Sequence, residues 1–293
     1  MEVCRVRTDL ALESAESVQD PKQEMSGVSV SEEYHARTDV TVTTVVIESK
    51  NASQRLGKPN GTYITLEAPE MHEEDEEYHR EISKELADCI CKLLPVHDKE
   101  LAILVVGLGN KDVTADSLGP LVIDNLHVTR HILIEYGVAA YENTTNMISG
   151  IVPGVMARTG MESAEIVRGI VESTEPDIVI VVDALAARST KRLNRTIQIT
   201  NTGIHPGSGV GNHRSTLNEE TLGKPVIAIG IPTVVDAATI VNDAVGKRYE
   251  EIPLPNMSDL ANMYVTGKDI DEIVKRLSFT VSEGINMALK RSR

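Results

Sequence analysis

From residue 100 onward, nearly continuous apolar runs alternate with amphipathic segments, and few folds satisfy that texture. Strands buried on both faces read as unbroken Val, Ile and Leu, because helices cover both sides of a parallel sheet. LAILVVG (101–107), DIVIVVDA (177–184), TIQIT (196–200) and PVIAIGI (225–231) are such runs, with VAAYENT (138–144) a weaker one. Apolar residues at helical spacing predict helices starting near Leu118, Glu162 and Ala237, and a last one over DIDEIVKRLSFTVSEGINMAL (269–289). The fold class is therefore α/β: a three-layer α/β/α core with a mostly parallel sheet, over residues 96–293.

The chain ahead of this core reads differently. TDVTVTTVVIE (38–48) and GTYITLEAP (61–69) are rich in β-branched residues and are separated by the turn-forming KPNG, so a small N-terminal β element is expected. The acidic run EMHEEDEEYHRE enters a helix with Ile82, Leu86, Ile90 and Leu93 on one face, stopped by Pro95. These features make 10–95 a β element plus helix. Residues 1–35 show no sustained period and read as a polar tail or pro-segment.

Charge and cysteine usage narrow the function classes. Lys and Arg total 29 against 44 Asp and Glu, a net charge of -15 that repels phosphate backbones and anionic membrane surfaces. With no Trp and one Phe, base-stacking platforms are missing as well. Direct nucleic-acid binding and membrane association are not expected. Cys4, Cys89 and Cys91 make an odd, sparse set without metal-finger spacing, which fits a reducing, cytoplasmic setting. Cys89 and Cys91 point to different sides of one helix and are expected to pack, not to ligate. No apolar run spans a bilayer and the first residues lack a signal peptide's apolar stretch, so the protein is expected to stay where it is made.

In open α/β sheets, sites gather outside the carboxyl ends of the strands. Two of those ends carry carboxylates. The first strand runs into GLGNKDVTADSLGP, where Asp116 stands just ahead of a helix; the second ends at Asp183 in VVDALAAR, after an apolar run in which an unpartnered charge would be costly. Asp116 reads either as a helix N-cap or as a catalytic acid, and Asp183 either as a loop brace or as its partner. Brought together, the two carboxylates suit an acid–base pair of the aspartic-hydrolase kind, one activating water and the other polarising the amide.

Other motifs carry less. GLGNKD lacks the third glycine of a dinucleotide turn, no Gly-x-Ser-x-Gly elbow follows a strand, and no cysteine sits at a core strand end. HPGSGVGNHR (205–214) lacks a P-loop's lysine and reads as a substrate loop, with His205, Gly207, Gly209 and Gly211 as its contacts. His205 and His213 are weak metal ligands without the His-Glu-x-x-His helix, and Asp236 in GIPTVVDA reads as a helix cap. No metal and no cofactor is expected.

Taken in order, GKPNGTYITLEAP, GLGN with TADSLGP, IVIVVDALAAR, NTGIHPGSGVGNHR and GIPTVVDA resemble the germination protease family, the GPR endopeptidases of spore-forming bacteria, over nearly the whole chain. The resemblance implies an atypical aspartic-type endopeptidase, similar in fold to hydrogenase maturation peptidases, with Asp116 and Asp183 as the essential aspartates. It also implies small acid-soluble spore proteins as substrates, a homotetramer in the spore core, and a zymogen that trims its own N-terminus. The family's cleavage pattern matches VRTDLALES and so implies processing between Asp9 and Leu10, making residues 1–9 the pro-segment; ARTDVTV (36–42) lacks the later acid and leads into a strand. Two other classes stay open at this point: a nickel-dependent maturation-type peptidase, and a non-catalytic protein whose glycine loop binds an anion.

Overall fold

A computed structural model describes residues 10, 13, 26–95, 100–137, 146–207, 215–245, 260 and 263–290. In chain order the strands are β1 (Val28–His35), β2 (Val40–Ile47), β3 (Gly61–Glu67), β4 (Ala102–Gly107), β5 (Met147–Ile151), β6 (Ile178–Ala187), β7 (Thr196–Thr200), β8 (Val226–Asp236) and β9 (Tyr264–Val265). The helices are α1 (Lys50–Leu56), α2 (Glu76–Leu93), α3 (Leu118–Asp124), α4 (Arg130–Tyr136), α5 (Met156–Thr159), α6 (Ser163–Thr174), α7 (Glu219–Leu222), α8 (Ala237–Val245) and α9 (Ile270–Ala288).

All the strands belong to one sheet, ordered β1-β2-β3-β7-β8-β6-β4-β5, with β9 on β8. β8, β6, β4 and β5 run parallel, whereas β1, β2, β3 and β7 extend the sheet antiparallel through the β3–β7 and β7–β8 pairs, so the sheet is mixed about a parallel core, and TIQIT, read among the parallel runs, is the antiparallel β7. The α/β class holds, with the N-terminal strands as a hairpin-built wing of the same sheet. Alternation along the central strands separates two cores. Ile103, Val105, Ile178, Ile180 and Val182 face one layer with Leu86 of α2, Val122 of α3 and Leu277 of α9; Leu104, Val106, Val179 and Val181 face the other with Val167 and Val171 of α6.

Three departures from the sequence reading have physical causes. β1 lies in what reads as tail, because its VSVSEEYH is exposed along most of its length and needs no apolar face; its order comes from pairing with β2. β5, MISGI, is an edge strand in which Ser149 and Gly150 break the apolar pattern. VAAYENT lies outside the described residues. Third, β6 and β8 run on past their apolar stretches, to Ala187 and Asp236, by pairing with each other across a bulge.

The bulge falls where Leu185 pairs Pro232 and Ala186 pairs Val234, leaving Thr233 as the extra residue. Pro232 has no N–H for a ladder, and its carbonyl instead accepts from the Asn194 N–H at 2.8 Å. Chain order in the sheet reverses at β4: the chain leaves β4 for β5 on one side and returns to β6 on the other.

α2 and α9 form the main helix contact on the first core, and Leu86 seats directly on Gly284. Leu86→Ala removes a fully buried side chain there, so stability in urea titrations should fall by about 2–5 kcal/mol with the far-UV circular dichroism of the native state kept.

Candidate active site

The corner beyond the carboxyl end of β4 is built by close backbone approaches. Gly107, the last residue of β4, stands opposite Val182 of β6, and the next N–H, from Leu108, donates to the Val182 carbonyl at 2.8 Å. The chain then folds back on itself. Gly109 has φ +114°, and a Cβ there would lie 2.0 Å from the Asp116 carbonyl oxygen, so only glycine fits. The Asn110 N–H donates to that same carbonyl at 3.0 Å, and the Asp116 N–H donates to the Val113 carbonyl at 2.8 Å. These bonds hold Asp116 at the end of a single 3-10 turn, Thr114–Asp116.

α3 starts immediately after this turn, and Ser117, not Asp116, occupies its N-cap position. The helix-cap reading of Asp116 is thereby corrected: a single 3-10 turn ahead of the helix shifts the cap by one residue. Gly119 lets the first turn of α3 sit on the strands, since a Cβ there would be 2.3 Å from the Leu108 carbonyl oxygen and 2.7 Å from that of Val182. The Thr114–Asp116 turn packs against both β6 and β8.

Asp183 stands on β6 at the same corner. It pairs in register with Gly230 of β8, while on its other side β4 has already ended opposite Val182. The residue is thus inside a strand but at the place where the sheet narrows, which corrects the expectation that the strand itself stops there. Its side chain is 6 % exposed, and its Oδ1 accepts from the Ala184 N–H at 3.0 Å. Asp116 is half-buried in the neighbouring loop. Thr233, the bulge residue of β8, is 1 % exposed and ties this loop down: its hydroxyl donates to the Ala115 carbonyl at 2.6 Å. Sequence reasoning missed Thr233, because only the β6–β8 register shows that a residue is extruded there.

His205 and Gly203 help line a cavity of about 70 Å³ with Lys58, Thr200, Leu185 and Gly230, the last being the partner of Asp183. His205 accepts or donates at Nδ1 with the Thr216 hydroxyl at 2.7 Å, and burial, then nearby Lys58, lowers its pKa. Gly207 has φ +73° at the last described position before 208–214; Gly209, Gly211 and His213 lie outside the described residues. Asp236 caps α8 through the Thr239 N–H at 3.1 Å, as read. Cys89 is buried in the first core, where burial pushes its thiol up to about 11, and Cys91 on the same helix is exposed. Among the described residues no three His, Cys, Asp or Glu side chains gather as a metal cluster, and no helix is long and apolar enough to cross a membrane.

Beyond Asp183, Leu10 and Glu13 meet β6 and the residues just after it. Asp9 and Cys4 lie outside the described residues, but Leu10 is fully buried in a cluster with Leu185, Ala187 and Val235, backed by Leu193, Ile204 and Ile240. Glu13 is 2 % exposed; its Oε2 accepts from the Arg188 backbone N–H at 2.9 Å, and its Oε1 is 3.4 Å from the Arg192 guanidinium. The cation that meets this acid is Arg192, while the Lys191 N–H donates to the Ser189 hydroxyl at 3.3 Å.

A family model described as germination protease matches residues 6–250. The germination protease of Caldanaerobacter subterraneus subsp. tengcongensis is 42 % identical over 314 aligned residues, 98 % of this chain and 95 % of that one. That of Bacillus mycoides is 46 % identical over 273, covering 90 % of this chain and 74 % of its own. Among solved structures, a NiFe hydrogenase maturation protease, HycI, from Thermococcus kodakarensis aligns with 67 % of this chain at 16 % identity and a TM-score of 0.35. The chain belongs to the germination protease family and is a peptidase.

Proposed function

We propose that this peptidase is an endopeptidase that hydrolyses small acid-soluble spore proteins in the spore core at germination, using Asp116 and Asp183 as its catalytic pair. The observation that carries the reading is the position of Asp183: a carboxylate nine-tenths buried at the strand-order reversal, one residue past the end of β4, beside the loop that holds Asp116. In the proposed reaction one carboxylate, ionised, takes a proton from water. The water oxygen bonds to the scissile carbonyl carbon, while the other carboxylate, protonated, polarises the carbonyl. Collapse then breaks the C–N bond and the proton passes to the leaving amine.

The same site would process its own chain between Asp9 and Leu10, releasing residues 1–9 and converting a zymogen to the mature enzyme. Burial of Leu10 on β6, close along the chain to Asp183, supports that bond over Asp39–Val40, whose Val40 begins a strand paired on both sides. A homotetramer fits the same reading, with the exposed edge strand β1 as a surface that subunit packing could cover.

Asp116→Asn and Asp183→Asn should each abolish cleavage of an acid-soluble spore protein, by about 10³-fold or more, with unchanged circular dichroism. Cleavage that survives either substitution overturns the pairing. Mass spectrometry of the full chain held at mildly acidic pH should show a new N-terminus at Leu10; a cut elsewhere, or none, removes the self-processing step. Thr233→Val leaves the Ala115 carbonyl without its hydroxyl donor by exchanging that hydroxyl for a methyl group of similar size. It should lower turnover by about 10-fold through misplacement of Asp116 while costing about 1–3 kcal/mol of stability.

A further inference from the structure

The bulge that carries Thr233 falls in a gap along the far edge of β8. On that edge β7 pairs β8 as far as Gly230, and β9 takes over only at Val235, opposite Val265. Two single bonds span the interval. The Asn194 N–H donates to the Pro232 carbonyl at 2.8 Å, and the Thr266 hydroxyl donates to the Thr233 carbonyl at 2.6 Å. Thr266 follows directly after β9, so its side chain supplies the rung that the short strand does not reach.

Thr233 is thereby held at two atoms. Its carbonyl accepts from Thr266, and its hydroxyl donates to the carbonyl of Ala115, the residue before Asp116. Thr233 is 1 % exposed, so water competes little for either bond. The two bonds are also mechanically linked: the direction of the carbonyl fixes the peptide plane, and with it the Cα–Cβ bond that carries the hydroxyl. Beyond Thr266 the chain passes through Gly267, Lys268 and Asp269 into α9, which packs against the Thr114–Asp116 turn. Thr266 thus lies between two elements that both touch the turn carrying Asp116.

We infer that Thr266 is a positioning residue for peptide hydrolysis: acting through the bulge of β8, its hydroxyl sets where Asp116 stands beside Asp183. The inference rests on the reading of those two aspartates as the catalytic pair. Thr266 itself touches neither substrate nor a reacting atom. A methyl group in place of its hydroxyl keeps the side chain's size but leaves the buried Thr233 carbonyl unmatched, which frees the bulge to turn. The consequence is a fault in turnover with substrate binding kept, because a small displacement of an acid–base pair is felt in rate. A Thr266 that only fastened β9 to β8 would instead lower stability and leave the loop before α3 as it is.

Two measurements on the full chain separate the loop from the chemistry. Hydrogen exchange read by mass spectrometry follows the amides of residues 110–117, which bracket the Thr114–Asp116 turn. Thr266→Val should speed their exchange by about tenfold or more, Thr233→Val by a similar factor, and the double variant little beyond either, since both act through one bulge. Exchange over Ile82–Ile90 of α2 should match the parent, and Thr266→Ser should bring back slow exchange in the loop. Cleavage of an acid-soluble spore protein, after the chain is held at mildly acidic pH, should show kcat lower by about 5-fold to 10-fold in Thr266→Val with KM within about twofold, again restored in Thr266→Ser. An unchanged loop in Thr266→Val, additive losses in the double variant, or full turnover in Thr266→Val where Asp116→Asn is inactive each overturns the inference. If Asp116→Asn still cleaves, the catalytic reading of Asp116 is what fails, and the exchange measurement alone then decides whether Thr266 positions the loop.

Discussion

Everything at the candidate corner depends on how closely the first turn of α3 approaches the backbone where β4 meets β6. Gly119 lies against the carbonyls of Leu108 and Val182, and no residue with a Cβ could sit there without moving one strand or the helix. That contact sets the height of the loop from Gly109 to Ser117, which in turn sets where Asp116 stands. It also brings the loop beside the one position on β6 where the neighbouring strand has ended. The Leu108 N–H bonded to the Val182 carbonyl continues the β4–β6 ladder by a single rung and then releases it, leaving Asp183 with a sheet partner on one side only.

The bulge in β8 answers the same constraint from the other side. A regular β6–β8 ladder would bury the Thr233 position in the pairing, whereas extruding one residue turns its hydroxyl toward Ala115 and its carbonyl toward the hydroxyl of Thr266. The loop after β4 is thus held by its own internal bonds, by the helix behind it and by a side chain from two strands away. Such contacts fix the position of Asp116 more closely than a loop residue left to its own rotamers would hold it.

Much of this was legible in the sequence, and the misses follow one pattern. The central strands announce themselves because burial on both faces leaves no choice but Val, Ile, Leu and Ala, and the glycines flanking Asp116 mark a turn that residues with side chains could not make. The two carboxylates stood out for the same reason, as polar residues set against an apolar run. What stayed hidden is what only pairing creates. The face of β1 that carries Val28, Val30 and Tyr34 is largely exposed, so its strand state exists through β2. The continuation of β6 beyond Asp183 exists through β8, and the bulge at Thr233 is a property of two registers, not of either strand. Arg192 was likewise invisible as the partner of Glu13, since the two are far apart in the chain and meet only where β6 turns toward β3 through Glu67.

The contact at Glu13 also qualifies what the net charge of -15 means. At physiological ionic strength the field of the whole molecule is screened beyond about 8 Å. Inside that distance single partners decide: Glu13, 2 % exposed, accepts from the Arg188 N–H at 2.9 Å and lies 3.4 Å from Arg192, which is 13 % exposed and paired on its far side with Glu67. A chain that repels anions at long range therefore holds one of its own carboxylates at short range, because an acid buried there without these partners would lose its hydration and gain nothing.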